Sequence, residues 1–250
     1  MKHVVLDIET IPNAEAMTRA GMDPDGGLPP WPLHQIACAS VLTVDRDHLG
    51  KLSFDVRTFS RRALGERGIV ASIERAIEDA FEVQTFNGAG FDIPVLLNRA
   101  AVTGEPAPIV AKLHAQPRFK RSVHVDFLQE VTASGAAPRV RLADLCAAYN
   151  IPVKLDAAGN QVGDLVAQGA WDRVANYCET DVVATWLMGL FWRSAERSSP
   201  ELIVEGWTAL AQWIWSDQRR LAHLMPYATV PPLYEGDGTL ADIDFAEYGL

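Results

Sequence analysis

A chain of 250 residues, 48% hydrophobic and 22% charged, can bury one sizeable core and has the composition of an ordinary globular protein. Its net charge of −10 argues against a protein that coats nucleic acid, although an enzyme with local basic groups could still bind it. No apolar run approaches the roughly 18 residues of a membrane span, and the N-terminal run is too short for a signal peptide.

The cysteine pattern gives no sign of a metal-binding or disulfide framework. The three cysteines, Cys38, Cys146 and Cys178, are widely spaced and include no C-x-x-C pair. Free thiols are typical of a reducing compartment, so we expect a cytoplasmic protein with no membrane partner.

The first half of the chain predicts a sheet that begins with three consecutive strands. Short apolar runs indicate strands over 2–8, 35–44 and 52–59, and the turn-rich link between the last two favours an antiparallel meander. The Gly- and Pro-rich stretch 22–32 predicts a long loop inside this meander. The sheet should therefore start with strands that run in alternating directions.

Helices and strands alternate after the meander. A helical apolar period covers 69–81, a short strand follows over 82–86, and Pro94 can open the next helix. A fifth strand is expected over 122–127. The fold class is therefore α/β, with a mixed five-stranded sheet flanked by helices.

The remaining chain predicts helices and then a change of composition. Helical patterns cover 142–149, 171–192 and 201–224. Beyond them the chain turns to Pro, Gly, Tyr and acidic residues. We therefore expect one domain over 1–225 and an acidic tail over 226–250.

Carboxylates stand at or near the ends of separate predicted elements. Asp7 and Glu9 close the first strand, where residues two apart project to the same side. Asp92 follows an Asn-Gly turn. Asp181 lies on the predicted helix over 171–192, one turn after Tyr177. Four acids in one pocket would repel strongly, so such a pocket needs metal cations.

Paired carboxylates favour one kind of metal chemistry. They form a hard oxygen site that suits Mg²⁺ or Mn²⁺ rather than a soft metal. Two such ions roughly 3.5–4 Å apart can stabilise the attacking and leaving oxygens of a phosphoryl displacement. Tyr177 could hold the attacking water, so we expect metal-dependent phosphodiester hydrolysis.

Each of these groups also has a purely structural interpretation. Acids after a strand can simply meet solvent, Asp92 with Pro94 can cap a helix, and a Tyr–Asp pair on a helix is usually a surface feature. Their joint occurrence in this order favours a shared site over three separate explanations.

Three motifs resemble those of the DEDD 3′–5′ exonucleases: Asp7-Ile8-Glu9-Thr10, Asn87-x-x-x-Phe91-Asp92 and Tyr177-x-x-x-Asp181. The tyrosine in the third motif resembles the DEDDy group of the DnaQ-like superfamily. The chain looks most like stand-alone predicted 3′–5′ exonucleases related to the proofreading exonuclease domain of B-type DNA polymerases. Similar stretches at 124–128, 151–154 and 177–182 extend the likeness over about residues 2–195.

The resemblance implies an RNase H-like fold and a role for each motif residue. Asp7 would bridge both metal ions, while Glu9 and Asp181 would hold the ion that carries the nucleophilic water. Asp92 would support the second ion, and Tyr177 would orient the nucleophile. The residues outside the likeness are too few for a polymerase domain, so we do not expect proofreading within one chain.

Candidate substrate contacts come from the motifs and from basic residues. Thr10, Asn87 and Phe91 lie beside the acids and could contact the 3′-terminal nucleotide. Lys154 follows a proline in a loop and could contact a phosphate. Asp126 could line the site, but capping is the simpler explanation.

One clearly basic stretch lies between residues 112 and 141. It contains Lys112, Arg118, Lys120, Arg121, His124, Arg139 and Arg141. It could track a phosphate backbone, with Arg121 as a substrate contact, and a solvated surface loop explains it equally well.

We therefore predict a two-metal-ion 3′–5′ exonuclease acting on the 3′ end of single-stranded DNA or RNA, with DNA favoured. A non-catalytic nucleic-acid-binding module of the same fold and a structure-specific endonuclease are the alternatives. Trp207, Trp213 and Trp215 in the last predicted helix favour core packing and could also mark a homo-oligomer contact.

Overall fold

The computed structural model describes residues 1–23, 26–117, 123–152 and 161–230. Within these residues one mixed sheet carries helices on both faces. Its strands are β1 (Lys2–Pro12), β2 (His34–Arg46), β3 (Leu52–Ser60), β4 (Glu82–Thr85) and β5 (His124–Asp126).

The sheet has the order β3-β2-β1-β4-β5. Strands β1, β2 and β3 pair antiparallel, whereas β4 pairs parallel with β1 and β5 pairs parallel with β4. This confirms the predicted meander and the mixed five-stranded sheet. The central position of β1 places its acidic end between the antiparallel and the parallel halves.

The helices of the described residues fall into long core helices and short connecting ones. They are α1 (Ala14–Arg19), α2 (Arg61–Ile77), α3 (Asp92–Thr103), α4 (Pro108–His114), α5 (Phe127–Val131), α6 (Leu142–Ala148), α7 (Val162–Ala167), α8 (Trp171–Arg197) and α9 (Glu201–Ser216). Single 3-10 segments cover Trp31–Leu33, Ala133–Gly135 and Ala222–Tyr227. No helix among them is both long and apolar enough to cross a membrane.

Alternating residues of β1 separate two apolar cores. Val4, Leu6 and Ile8 pack with α2 and α3 on one face of the sheet. Val5 belongs to the core on the opposite face, which α8 and α9 complete. Because side chains alternate along a strand, Asp7 and Glu9 lie on the same face as Val5 and are directed towards α8.

Some predicted boundaries were wrong. The first strand continues to Pro12, since pairing with β2 resumes after a bulge between Glu9 and Thr10. The predicted helix over 201–224 ends at Ser216 instead, and a 3-10 segment follows. The indole of Trp207 donates to the carbonyl of Tyr227 at 3.0 Å, which folds this segment back onto α9.

The end of the described chain packs onto the core. Tyr227 and Ala228 are buried with α8 and α9. Residues 231–250, most of the expected acidic tail, lie outside the described residues. The division into a domain and a tail stays a prediction.

Candidate active site

Strand β1 presents the first two carboxylates to helix α8. The thiol of Cys178 donates to Asp7 Oδ2 at 3.3 Å and lies 3.5 Å from the Asp7 carbonyl oxygen. Glu9 is buried and pairs with Cys38 of β2, immediately before the bulge. A bulge in a strand re-aims the side chains around it, and here it lies beside the acids.

Helix α8 carries Tyr177 and Asp181 one turn apart against this strand. Burial raises the pKa of Tyr177 well above its usual value, and the charges of Asp181, Glu9 and Asp7 raise it further. These charges act on the phenol because the first and third motifs face one another. Tyr177 and Asp181 are one turn apart on α8, so a single face of the helix presents both side chains.

Asp92 joins the same group from the opposite side of β1. It is the first residue of α3, and its Oδ1 accepts a hydrogen bond from the backbone N–H of Ile8 at 3.1 Å. Burial raises its pKa to about 7, with Asp126 and Asp181 adding to the effect. Phe91, which precedes it, occupies the N-cap position of α3. The alternative prediction that Asp92 serves as the helix N-cap is therefore wrong.

Burial and mutual repulsion act on the two acids of β1 together. Burial raises the pKa of Asp7 well above its usual value, followed by the charges of Asp92 and Asp181. Burial raises the pKa of Glu9 in the same direction, followed by the charges of Asp7 and Asp181. The negative charges of these acids therefore raise the pKa values of their neighbours.

The donor atoms of this site fit a divalent cation. Asp7, Glu9 and Cys178 each offer one ligand atom, and these atoms all lie within 4.8 Å of one another. Carboxylate oxygens are the donors that Mg²⁺ and Mn²⁺ prefer, and a cation would offset the repulsion among the acids.

Cys178 is a site residue that the sequence did not identify. Its side chain is fully buried, and its thiol donates a hydrogen bond to the Asp7 carboxylate. The only signal in the sequence is its position next to Tyr177, because no C-x-x-C spacing marks it.

His34 is a second residue that sequence reasoning missed. Its Nε2 lies 3.0 Å from the carbonyl oxygen of Pro29, and its Nδ1 lies 2.8 Å from Thr10 Oγ1. Because a carbonyl oxygen can only accept, Nε2 donates to Pro29, and the Thr10 hydroxyl is the hydrogen-bond partner of Nδ1. Its ring also contacts Phe91 edge-on at 5.4 Å, so it links two candidate substrate contacts.

Asp126 holds the turn that leads to Asp92. Its carboxylate accepts from the backbone N–H groups of Asn87 at 2.8 Å, Ala89 at 3.0 Å and Leu128 at 3.0 Å. It is also the N-cap of α5. The prediction that Asp126 has a capping role is confirmed.

Three of the five candidate substrate contacts lie in the part of the chain that the structure describes. Thr10, Asn87 and Phe91 adjoin the acids in the structure. Lys154 and Arg121 lie outside the described residues.

A family described as predicted 3′–5′ exonucleases related to the exonuclease domain of PolB matches residues 28–229. This range includes the second and third motifs and begins after Asp7 and Glu9. No curated protein matches the chain.

Solved structures with a similar fold include the family B DNA polymerase from Pyrobaculum calidifontis. It has a TM-score of 0.54 and 17% identity, over 88% of this chain and 29% of that one. An exonuclease I structure has a TM-score of 0.46 and 16% identity, over 93% and 47%. E. coli exonuclease I in complex with a dA16 oligonucleotide has a TM-score of 0.41 and 15% identity, over 93% and 47%.

These similarities concern architecture. The polymerase similarity confirms the α/β fold class. The chain spans less than half the length of each of these structures.

Proposed function

The chain belongs to the family of predicted 3′–5′ exonucleases related to the exonuclease domain of PolB, and we propose that it is a metal-dependent 3′–5′ exonuclease. One observation carries this proposal. Asp7 of β1 accepts a hydrogen bond from Cys178 of α8, next to Tyr177, and Asp92 at the start of α3 accepts one from the Ile8 N–H between Asp7 and Glu9. Distant parts of the chain thus supply one acidic site.

The carboxylates of Asp7, Glu9, Asp92 and Asp181 would hold two Mg²⁺ or Mn²⁺ ions. Bound divalent ions supply a water with a lowered pKa and neutralise charge on the leaving oxygen. The hydrogen bond from Cys178 orients the Asp7 carboxylate, and the Ile8 N–H orients that of Asp92.

Tyr177 would orient the attacking water through its hydroxyl. Its pKa is raised by burial and by the neighbouring carboxylates, so the phenol is protonated at neutral pH. A protonated phenol can donate and accept hydrogen bonds but cannot serve as an anionic base. We therefore assign Tyr177 a positioning role for the nucleophile.

The substrate we propose is an unpaired 3′ end, with DNA favoured over RNA. Glu9 and Asp92 are only 9% and 5% exposed. A phosphodiester can reach acids at this depth more easily on a single strand than inside a duplex. The relationship to a DNA polymerase domain supports DNA, and the terminal contacts would come from Thr10, Asn87 and Phe91.

Two further expectations are proposals of the same kind. A cytoplasmic location agrees with three free, buried cysteines. A homo-oligomer through α9 would have to use Trp215, which is 51% exposed, because Trp207 is fully buried in the core.

A 5′-labelled oligonucleotide with a free 3′ end tests the proposed activity. In Mg²⁺ or Mn²⁺ we expect stepwise shortening from the 3′ end, faster on DNA than on matched RNA. A blocked 3′ end should stop it, whereas internal cuts that ignore the block would favour an endonuclease. Binding without any cleavage would favour the non-catalytic module.

Variants make the same assay specific to the site. Asp7→Ala and Asp181→Asn should each lower kcat by on the order of a thousandfold, because each removes a metal-binding carboxylate. Asp172→Asn removes an exposed acid from the same helix and should leave the rate unchanged. Equal rates in all four proteins would refute the proposal.

A further inference from the structure

The turn between β4 and α3 is fixed at both ends. The Asp126 carboxylate holds the backbone N–H groups of Asn87 and Ala89. At the other end, Asp92 accepts from Ile8 N–H, which ties the turn to the strand that carries the first two acids. Asn87 has a φ of +68°, a left-handed conformation that Asn tolerates better than most residues.

This turn lies beside the acidic end of β1. Strands β4 and β1 are parallel, with Val5 level with Gln84, so both chains leave the sheet at the same edge. Neighbouring strands are roughly 4.8 Å apart. Asn87 lies two residues after the end of β4 and is therefore close to the part of β1 that carries Asp7 and Glu9.

The guanidinium group of Arg139 is hydrogen-bonded to this turn. The Nη2 group of Arg139 donates to Asn87 Oδ1 at 2.9 Å. Since the guanidinium can only donate, the contact identifies Oδ1 as the amide atom that faces it, and Nδ2 keeps its two hydrogens for other acceptors. Asn87 thus fixes the position of a charged side chain that is otherwise exposed.

Arg139 differs from the arginines that serve the core. Arg99 pairs with buried Glu66, and Arg193 pairs with Glu82. Across the parts of the chain that the structure describes, Arg139 makes no salt bridge. Among those residues no acid neutralises its charge, and its remaining N–H donors can bind a ligand.

A polyanion approaching this site meets strong repulsion. The chain carries a net charge of −10, and the site itself is built from acids. A fixed guanidinium beside the site would offset part of this repulsion and offer a fork that matches phosphate oxygens.

We propose that Arg139, held by Asn87, forms a binding position for a phosphodiester group of the substrate strand next to the one that is cleaved. The inference rests on the proposed exonuclease function and extends it to a residue outside the three motifs. Arg139 binds and positions the strand, and it takes no part in the displacement at the cleaved phosphate. Its loss should therefore act on KM rather than on kcat.

Steady-state cleavage of a single-stranded oligonucleotide at several salt concentrations tests this position. Arg139→Gln should raise KM on the order of tenfold with kcat nearly unchanged. It should also reduce the slope of log KM against log salt concentration by about 0.7, the value for one lost phosphate contact on a single strand. Arg139→Lys keeps the charge but loses the fork, so it should restore the salt slope and only part of KM.

Arg219→Gln is the matched control. Arg219 is exposed, and its neighbour Arg220 hydrogen-bonds to Val56 of β3, at the opposite edge of the sheet from β5. The Arg219→Gln variant removes the same charge as Arg139→Gln and should leave both KM and the salt slope at wild-type values.

The outcomes separate the inference from the proposed function. If wild type releases no nucleotides with either metal, the exonuclease proposal fails. If wild type is active but Arg139→Gln keeps the wild-type KM and salt slope, or Arg219→Gln changes them equally, the phosphate position is refuted and the exonuclease stands.

Discussion

The pKa of the Tyr177 phenol depends on carboxylates from two different elements of the site. Its own helix supplies Asp181, and β1 supplies Asp7 and Glu9, all of which disfavour ionisation of the phenol. Its ring also packs against the small apolar cluster that contains Cys38 and Cys178. Removal of the hydroxyl alone therefore isolates its contribution to the reaction from its contribution to packing.

Tyr177→Phe should lower kcat by on the order of a hundredfold and leave KM within about twofold, because the water loses a positioning hydrogen bond while the ring still packs. Single-turnover cleavage of the labelled oligonucleotide measures the effect. Tyr149→Phe is the control, since Tyr149 stacks on Phe191 at 5.0 Å within the core. A Tyr177→Phe rate equal to that of Tyr149→Phe would remove Tyr177 from the mechanism.

The residues that could be predicted from the sequence are those whose spacing carries information. Asp7 and Glu9 share a strand face, and Tyr177 and Asp181 share a helix face, so local geometry is sufficient to pair them. Cys178 and His34 could not be assigned this way, and the basic stretch that contains Arg139 indicated a phosphate contact but not its hydrogen bond to Asn87. Each acts through a contact with a distant part of the chain, and their sequence neighbourhoods contain no pattern that indicates such a contact.

Strands β4 and β5 support the second motif through side chains as well as backbone pairing. The hydroxyl of Thr85 in β4 lies 2.9 Å from His124 Nε2 in β5. Asp126, at the end of β5, holds the turn that begins with Asn87. A Cβ at Gly88 would lie 2.4 Å from the Thr85 hydroxyl oxygen, so the turn can approach β4 only with glycine there.

His124 should make stability depend on pH. Burial lowers its pKa to about 4, whereas a histidine in an unfolded chain titrates near ~6.5. Between these values the unfolded chain binds a proton that the folded chain does not. The contribution is therefore fully present above pH ~6.5 and is lost as pH falls towards ~4, by at most about 3 kcal/mol.

Urea unfolding at about pH 7.5, 6, 5 and 4 measures that loss from above the window to its lower end. His124→Gln should flatten the decline in the free energy of unfolding between pH ~6.5 and ~4. His48→Gln, at an exposed position in the β2–β3 link, should keep the wild-type decline. Parallel curves for all three proteins would show that His124 does not cause it.

The meander strands and α8 were predicted well, whereas the helix predicted over 201–224 ends at Ser216 and the shortest helices were not predicted. The strands of the meander and the longest helix have clear periods, and they were located within a few residues. Helices α4, α5 and α7 have seven, five and six residues, too few for a reliable period. Tertiary contacts stabilise them; for example, Glu74 of α2 caps α4 through the N–H groups of Ile109 and Val110.

At the scale of the whole molecule, the fold gathers parts of the chain that are far apart in sequence. Central strand β1 contributes two acids, the parallel crossover to β4 brings Asp92, and α8 crosses the sheet to bring Tyr177 and Asp181. The order of motifs indicated a shared site, but the sheet order that brings them together depends on pairing between distant segments. Sequence patterns alone do not determine that pairing.

Titration of the protein with Mn²⁺, followed by calorimetry without nucleic acid, tests most directly whether these separate segments build one metal site. We predict saturable binding by wild type, and affinity weaker by on the order of tenfold or more in Asp7→Asn, Asp92→Asn and Asp181→Asn. Asp172→Asn, on the exposed face of α8, should bind as wild type does. Binding that is absent in wild type, or equal in all variants, would contradict the account.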